Sequence, residues 1–152
     1  MKETIDELER RCLFLEATLN SIDSYIFSKD TTGCYTYVND KVIELFKRNK
    51  EEIIGFDDSH FFDLESSNEI VNNDLKVMAE GIIVESEEQL LVKSIGELRK
   101  YKTIKKPIYD INHNIIGMSG ISSQLTEIEK LESIVAEQKH LLDIVLDNVD
   151  AY

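Results

Sequence analysis

The residues best suited to chemistry are few and scattered. His60, His113 and His140 share no local spacing that would assemble a triad, and there is no HExxH, no phosphate-binding glycine loop and no G-x-S-x-G nucleophile turn. His60 stands in Asp57-Asp58-Ser59-His60-Phe61-Phe62-Asp63. A lone histidine there can be read as a haem ligand, or as a surface side chain satisfied by the three acids beside it. That segment lacks the spacing of a calcium loop. His113 falls in a turn and His140 in a terminal helix, so both read as solvent-exposed. Glu85, Glu87, Glu88 and Glu97 look like an acidic cluster but read as the solvated face of strands. Cys12 and Cys34 form no CxxC and no metal spacing, so they read as small buried apolar groups.

The elements that must position these residues follow from periodicity. Ile5, Leu8, Cys12, Leu15, Leu19 and Ile22 alternate at spacings of three and four, a heptad seam of an amphipathic helix. From Tyr25 the period changes to two. Tyr25–Lys29 and Cys34–Val38 predict two strands joined by the turn Asp30-Thr31-Thr32-Gly33. Asn39 is expected to cap a short helix carrying Val42, Leu45 and Phe46, and Asn49 with Glu52 resembles a capping box. Ser66 with Glu69 predicts the start of a longer helix with Val71, Leu75 and Met78 on one face, ended by Gly81. Three strands are then expected over Ile82–Leu91, Leu98–Ile108 and Ile115–Ser123. Ile128, Leu131, Val135, Gln138, Leu142, Val145 and Val149 set a second heptad seam with one polar position. Helix, two strands, helices, three strands and helix predict an α+β fold built on a five-stranded antiparallel sheet with helices on one face, an N-terminal amphipathic helix and a C-terminal coiled-coil-like helix.

Charge narrows the partners. The chain of 152 residues has 30 acidic against 17 basic side chains, a net charge of −13. Such a field repels phosphate backbones and anionic lipid surfaces, which argues against nucleic-acid partners and against direct membrane contact. The bland reading of the acidity is solubility. No apolar run is long enough to span a bilayer, and the charged start lacks the apolar core of a signal peptide, so a cytoplasmic location is the expectation.

Five segments, in order, resemble the PAS domains of bacterial sensor proteins. They are Lys29-Asp30-Thr31-Thr32-Gly33-Cys34-Tyr35-Thr36-Tyr37-Val38-Asn39, Ile53-Ile54-Gly55-Phe56-Asp57-Asp58, Asn73-Asp74-Leu75-Lys76-Val77-Met78-Ala79-Glu80-Gly81, Lys105-Lys106-Pro107-Ile108-Tyr109-Asp110, and Ile115-Ile116-Gly117-Met118-Ser119-Gly120-Ile121-Ser122. The resemblance implies a module without catalysis that binds a small ligand in its core or dimerises, and relays a signal through flanking helices to a histidine kinase or cyclic-dinucleotide output domain. It implies a pocket between sheet and helices lined by Phe27, Tyr37, Phe46, Phe61, Leu75, Met78, Tyr101, Thr103, Lys105, Met118 and Ser122. Lys105 is the unusual member, because a buried ammonium needs a partner. That partner is either a carboxylate or phosphate of a small anionic or polar metabolite, or a structural acid such as Asp63 or Asp58. The Asn-Cys-Arg motif of flavin-binding relatives is absent, and the long helix lacks the histidine of haem-binding relatives, so neither cofactor is expected. The family's usual Asp-Ile-Thr at the exit reads Gln124-Leu125-Thr126 here.

A homodimer is expected through Ile5, Leu8, Cys12, Leu15 and Leu19 and through Ile128, Leu131, Val135, Leu142 and Val145. The divisions are an N-terminal helix over 1–18, a PAS domain over 19–126, and a signalling helix over 127–152. Leu15–Tyr25 and Leu142–Tyr152 resemble each other, which points to the start of a second copy at the chain's end. The alternative reading is a ligand-free dimerisation and spacer module in a multidomain signalling protein.

Overall fold

The structure, a computed structural model, describes residues 4–149. Asp150, Ala151 and Tyr152, which complete the repeat noted at the chain's end, lie outside the described residues. Helix α1 (Ile5–Asn20) leads into strands β1 (Tyr25–Asp30) and β2 (Tyr35–Val38). Helix α2 (Asp40–Phe46), two single-turn 3-10 helices at Lys50–Glu52 and Asp58–His60, and helix α3 (Leu64–Glu80) follow. Strands β3 (Val84–Val92), β4 (Glu97–Tyr109) and β5 (Ile115–Gln124) complete one antiparallel sheet in the order β2-β1-β5-β4-β3, and helix α4 (Glu127–Val149) leaves it.

The hairpin turns are built by aspartates. Asp30 Oδ1 accepts from the backbone N–H of Thr32 and Cys34 and from the Thr32 hydroxyl, while Gly33 supplies the positive φ of 86°. Asp110 Oδ1 does the same for the N–H groups of Asn112 and Asn114 before β5. Asn39 caps α2 through the Val42 N–H and also accepts from Ile26 N, so one amide ties the helix start to β1. A bulge between Ser28 and Lys29 sets Lys29 beside Tyr35.

The long helix corrects the expected frame. Asp63, not Ser66, caps it, accepting from Ser66 N at 2.9 Å. Its buried face is Ser66, Ser67, Ile70, Asp74 and Val77 rather than Val71, Leu75 and Met78. Leu75 is 53% exposed. The apolar stripe misled because the covered face carries a carboxylate that pairs with lysines of the sheet.

An aromatic cluster fills the end of the core next to α2. Phe46 stacks on Phe61 with centroids 4.3 Å apart, and Tyr35 meets both rings edge-on. In β5, glycine is required at position 120, where a Cβ would overlap the Phe27 ring lying across the strand. Neither α1 nor α4 has a buried residue: Ile5, Leu8, Leu15, Ile128, Leu131, Val135, Leu142 and Val145 are all exposed. Cys12 is exposed as well, and Cys34 half-buried, where the sequence reading has both buried.

Candidate functional site

The site begins with alternation along three strands. Tyr25, Phe27 and Lys29 of β1, Glu88 and Leu90 of β3, and Tyr101, Thr103 and Lys105 of β4 turn toward the helices, where Val42, Leu45 and Phe46 of α2, Asp58 and Phe62, and Ile70 of α3 close over them. Between them lies a cavity of about 50 Å³. That is room for a few water molecules at roughly 10–15 Å³ each. It is far below the roughly 300 Å³ of a drug-sized pocket, so a haem or a flavin would require the core to repack.

At its wall and just behind it runs a chain of buried charges from five different elements, of which all but Asp74 line the cavity. Tyr35 donates from its hydroxyl to Asp58 Oδ1 at 2.5 Å, and Lys29 Nζ donates to Asp58 Oδ2 at 2.5 Å and to Asp74 Oδ2 at 2.7 Å. Lys105 Nζ lies 2.9 Å from Asp74 Oδ1 and 3.2 Å from Glu88 Oε1. None of these five charged residues is more than 3% exposed. Charges so deep are tolerated only when paired, and removing one partner of such a pair typically costs about 3–5 kcal/mol.

The two lysines are not equivalent. Lys29 is fully engaged. Burial pulls its pKa down, but the charges of Asp58 and Asp74 and their hydrogen bonds outweigh that and hold it above the ordinary lysine value. Lys105 is close enough to its two acids for Coulombic attraction, yet neither approach has hydrogen-bond geometry. Lys105 Nζ, Asp74 Oδ1 and Glu88 Oε1 have no hydrogen-bond partner among the described residues. Such buried groups are costly unless something completes them. Nearby, Arg99 approaches the Tyr101 hydroxyl without forming a good hydrogen bond, and burial pushes that phenol up to about 12. Thr103 and Ser122 satisfy each other at 2.8 Å.

Of the side chains expected to line a pocket, Phe27, Phe46, Tyr101, Thr103, Lys105 and Ser122 are brought together around this cavity. Phe61 and Met118 are buried elsewhere in the core, Met78 is half-buried off the cavity, Leu75 faces outward, and Tyr37 lies with its ring 5.8 Å from Lys50 Nζ. Lys105 meets Asp74 and Glu88 rather than Asp63, which caps α3, or Asp58, which holds Lys29. Glu88 is therefore no solvated residue, although Glu85 and Glu87 do reach exposed Lys102 and half-buried Lys100 on the neighbouring strand. His60 sits at the surface against Asp57. Sequence reading missed Lys29, Asp74 and Glu88, whose partners lie on other elements distant in sequence. At the exit, Thr126 and Glu129 form the capping box of α4, and Gln124 Oε1 reaches Arg99 Nη1 at 3.5 Å.

Among the described residues no grouping of histidine, cysteine and acidic side chains could hold a metal ion, and no helix is long and apolar enough to cross a membrane. An antiparallel sheet cradling a small cavity under a layer of helices, with a helix at either end, defines a sensor-type module. The chain belongs to the PAS-fold family, whose model matches residues 19–130. It is 32% identical over 117 residues to a diguanylate cyclase of Vibrio cholerae, a match covering 76% of this chain and 36% of the relative. The chain thus spans about a third of that protein. In fold it is similar to the PAS domain of a Colwellia psychrerythraea protein (TM-score 0.63, 21% identity, 79% of this chain and 98% of the other). It is likewise similar to VqmA bound to DPO (TM-score 0.65, 23% identity, 82% and 60%).

Proposed function

We propose that this chain is a sensory module that binds a small polar molecule in its core and relays occupancy through α1 and α4 to an output unit of the diguanylate-cyclase kind. The observation that carries this reading is Lys105, buried at the cavity wall between two acids with its hydrogen-bond donors unfilled. A fold built only for rigidity gains little from such an arrangement, because an apolar core of equal volume is often as stable or more so. In this reading residues 19–126 sense, 127–152 transmit, and catalysis belongs to the part of the cyclase relative that this chain does not match. A cytoplasmic setting and a homodimer joined through the exposed rows of α1 and α4 complete the proposal.

The test is a titration of the isotope-labelled protein, followed by amide NMR, with a library of molecules of four to eight non-hydrogen atoms. At least one member should saturably shift the amides of Glu88, Thr103 and Lys105, and a Lys105→Met variant should lose that response. A library that moves none of them would leave the second reading in place. That reading is a dimerisation spacer, favoured by the unpartnered apolar rows of both terminal helices.

A further inference from the structure

The charges around the cavity constrain what can enter it. The buried network around it holds two ammonium groups, Lys29 and Lys105, against three carboxylates: Asp58 and Glu88, which line the cavity, and Asp74, which bridges the two lysines behind it. A fourth acid, the exposed Glu69 of α3, feels burial and then the charge of Glu88, and its carboxyl is held above the usual range. The lysines are therefore already outnumbered. A carboxylate or phosphate seated on Lys105, the partner suggested by the lysine alone, would be a further anion inside a site in surplus of negative charge. Two carboxylates sharing a dry site repel strongly.

Of the unfilled groups, Lys105 and Glu88 line the cavity and Asp74 does not, so the first two say what would fit instead. Lys105 Nζ requires an acceptor, and Glu88 Oε1, 3.2 Å away, requires a donor. One small molecule carrying both functions side by side satisfies them at once. A cation supplies donors only and would face the Lys105 ammonium. Resting on the sensing role proposed above, we infer that the cavity takes a small neutral molecule with adjacent hydrogen-bond donor and acceptor, such as a simple amide, and rejects carboxylates and phosphates.

Acetate, acetamide and acetamidinium test this, because they share size and shape and differ in charge. In NMR titrations of the full chain, acetamide should shift the amides of Glu88, Thr103 and Lys105 at lower concentration than either ion. A Glu88→Gln variant, which balances two ammonium groups with two carboxylates, should gain acetate affinity by about tenfold, a modest share of one charge–charge interaction in a partly screened interior. Equal or tighter binding of acetate or acetamidinium to the native protein would overturn the inference while leaving a sensing cavity in place. Silence from all three would overturn it too. Ligand sensing itself falls only if the wider library is silent as well.

Discussion

Burying Lys29 strips an ammonium of water, a cost recovered here from two carboxylates at hydrogen-bond distance. Lys29→Met should therefore destabilise the fold by about 3–5 kcal/mol, read from urea unfolding, because Asp58 and Asp74 would keep their charges without their shared counter-ion. The same side chains set a pH dependence. Lys29 is held above its ordinary 10.5, mainly because Asp58 and Asp74 outweigh burial. Tyr35 is pushed well above 10.0 by burial and then by Asp58, and Tyr101 up to about 12 by burial. All three keep their protons in the fold at pH values where the unfolded chain has lost them. Their contributions are complete below about pH 10 and disappear as pH climbs through the folded-state values, since stability falls wherever the native state holds more protons. The urea midpoint should accordingly decline from about pH 10 upward. Tyr35→Phe should flatten that decline while costing about 1.5–3 kcal/mol near neutrality, the worth of a hydrogen bond to a charged group.

At the scale of elements, a glycine of β5 makes room for a ring of β1. The Phe27 ring lies where a Cβ at position 120 would be. Gly120→Ala should cost about 1–3 kcal/mol by overpacking and displace a ring that lines the cavity, seen as a lowered melting temperature with altered aromatic side-chain NMR signals. Most of these elements were legible in the sequence: the hairpin turn from Asp30 and Gly33, the α2 cap from Asn39, the strands from period-two alternation, and the terminal helices from their heptads. The frame of α3 was not, and the reason is physical. Amphipathic reading assumes that the covered face is the apolar one, and here that face carries Asp74 and two serines while Val71 and Leu75 face outward. Ser66 could not cap α3 because Asp63 already does. Its hydroxyl instead accepts from Leu91 N of β3. Part of the cavity wall was legible for the same reason that the strands were. Of the ionic network, Lys105 in the pocket and an acid such as Asp58 beside it were legible, but Lys29, Asp74 and Glu88 were not, because each looks like a surface residue until the fold joins it to its partner.

At the scale of the whole molecule, the acidic chain must spend its two apolar rows somewhere. Residues of α1 and α4 such as Ile5, Leu15, Ile128, Val135 and Leu142 are each more than half exposed. Rows of this kind at heptad spacing are suited to pairing with a second copy. Leu131→Glu with Leu142→Glu should convert a dimer to a monomer in light scattering without lowering the melting temperature of the sheet domain, because neither residue packs on the core. That variant also decides whether the core and the helices communicate. If occupancy of the cavity biases the packing of the exit helices, linkage requires the reverse: dimerisation must change the cavity's affinity by the same factor. A relay strong enough to switch an output needs a coupling of about 1–3 kcal/mol, or roughly 5–150-fold. Acetamide titrated into the double variant should therefore bind with an affinity different from that of the dimer by at least about fivefold. Equal affinities in the two states would mean that the helices join copies of the chain without hearing what the core binds.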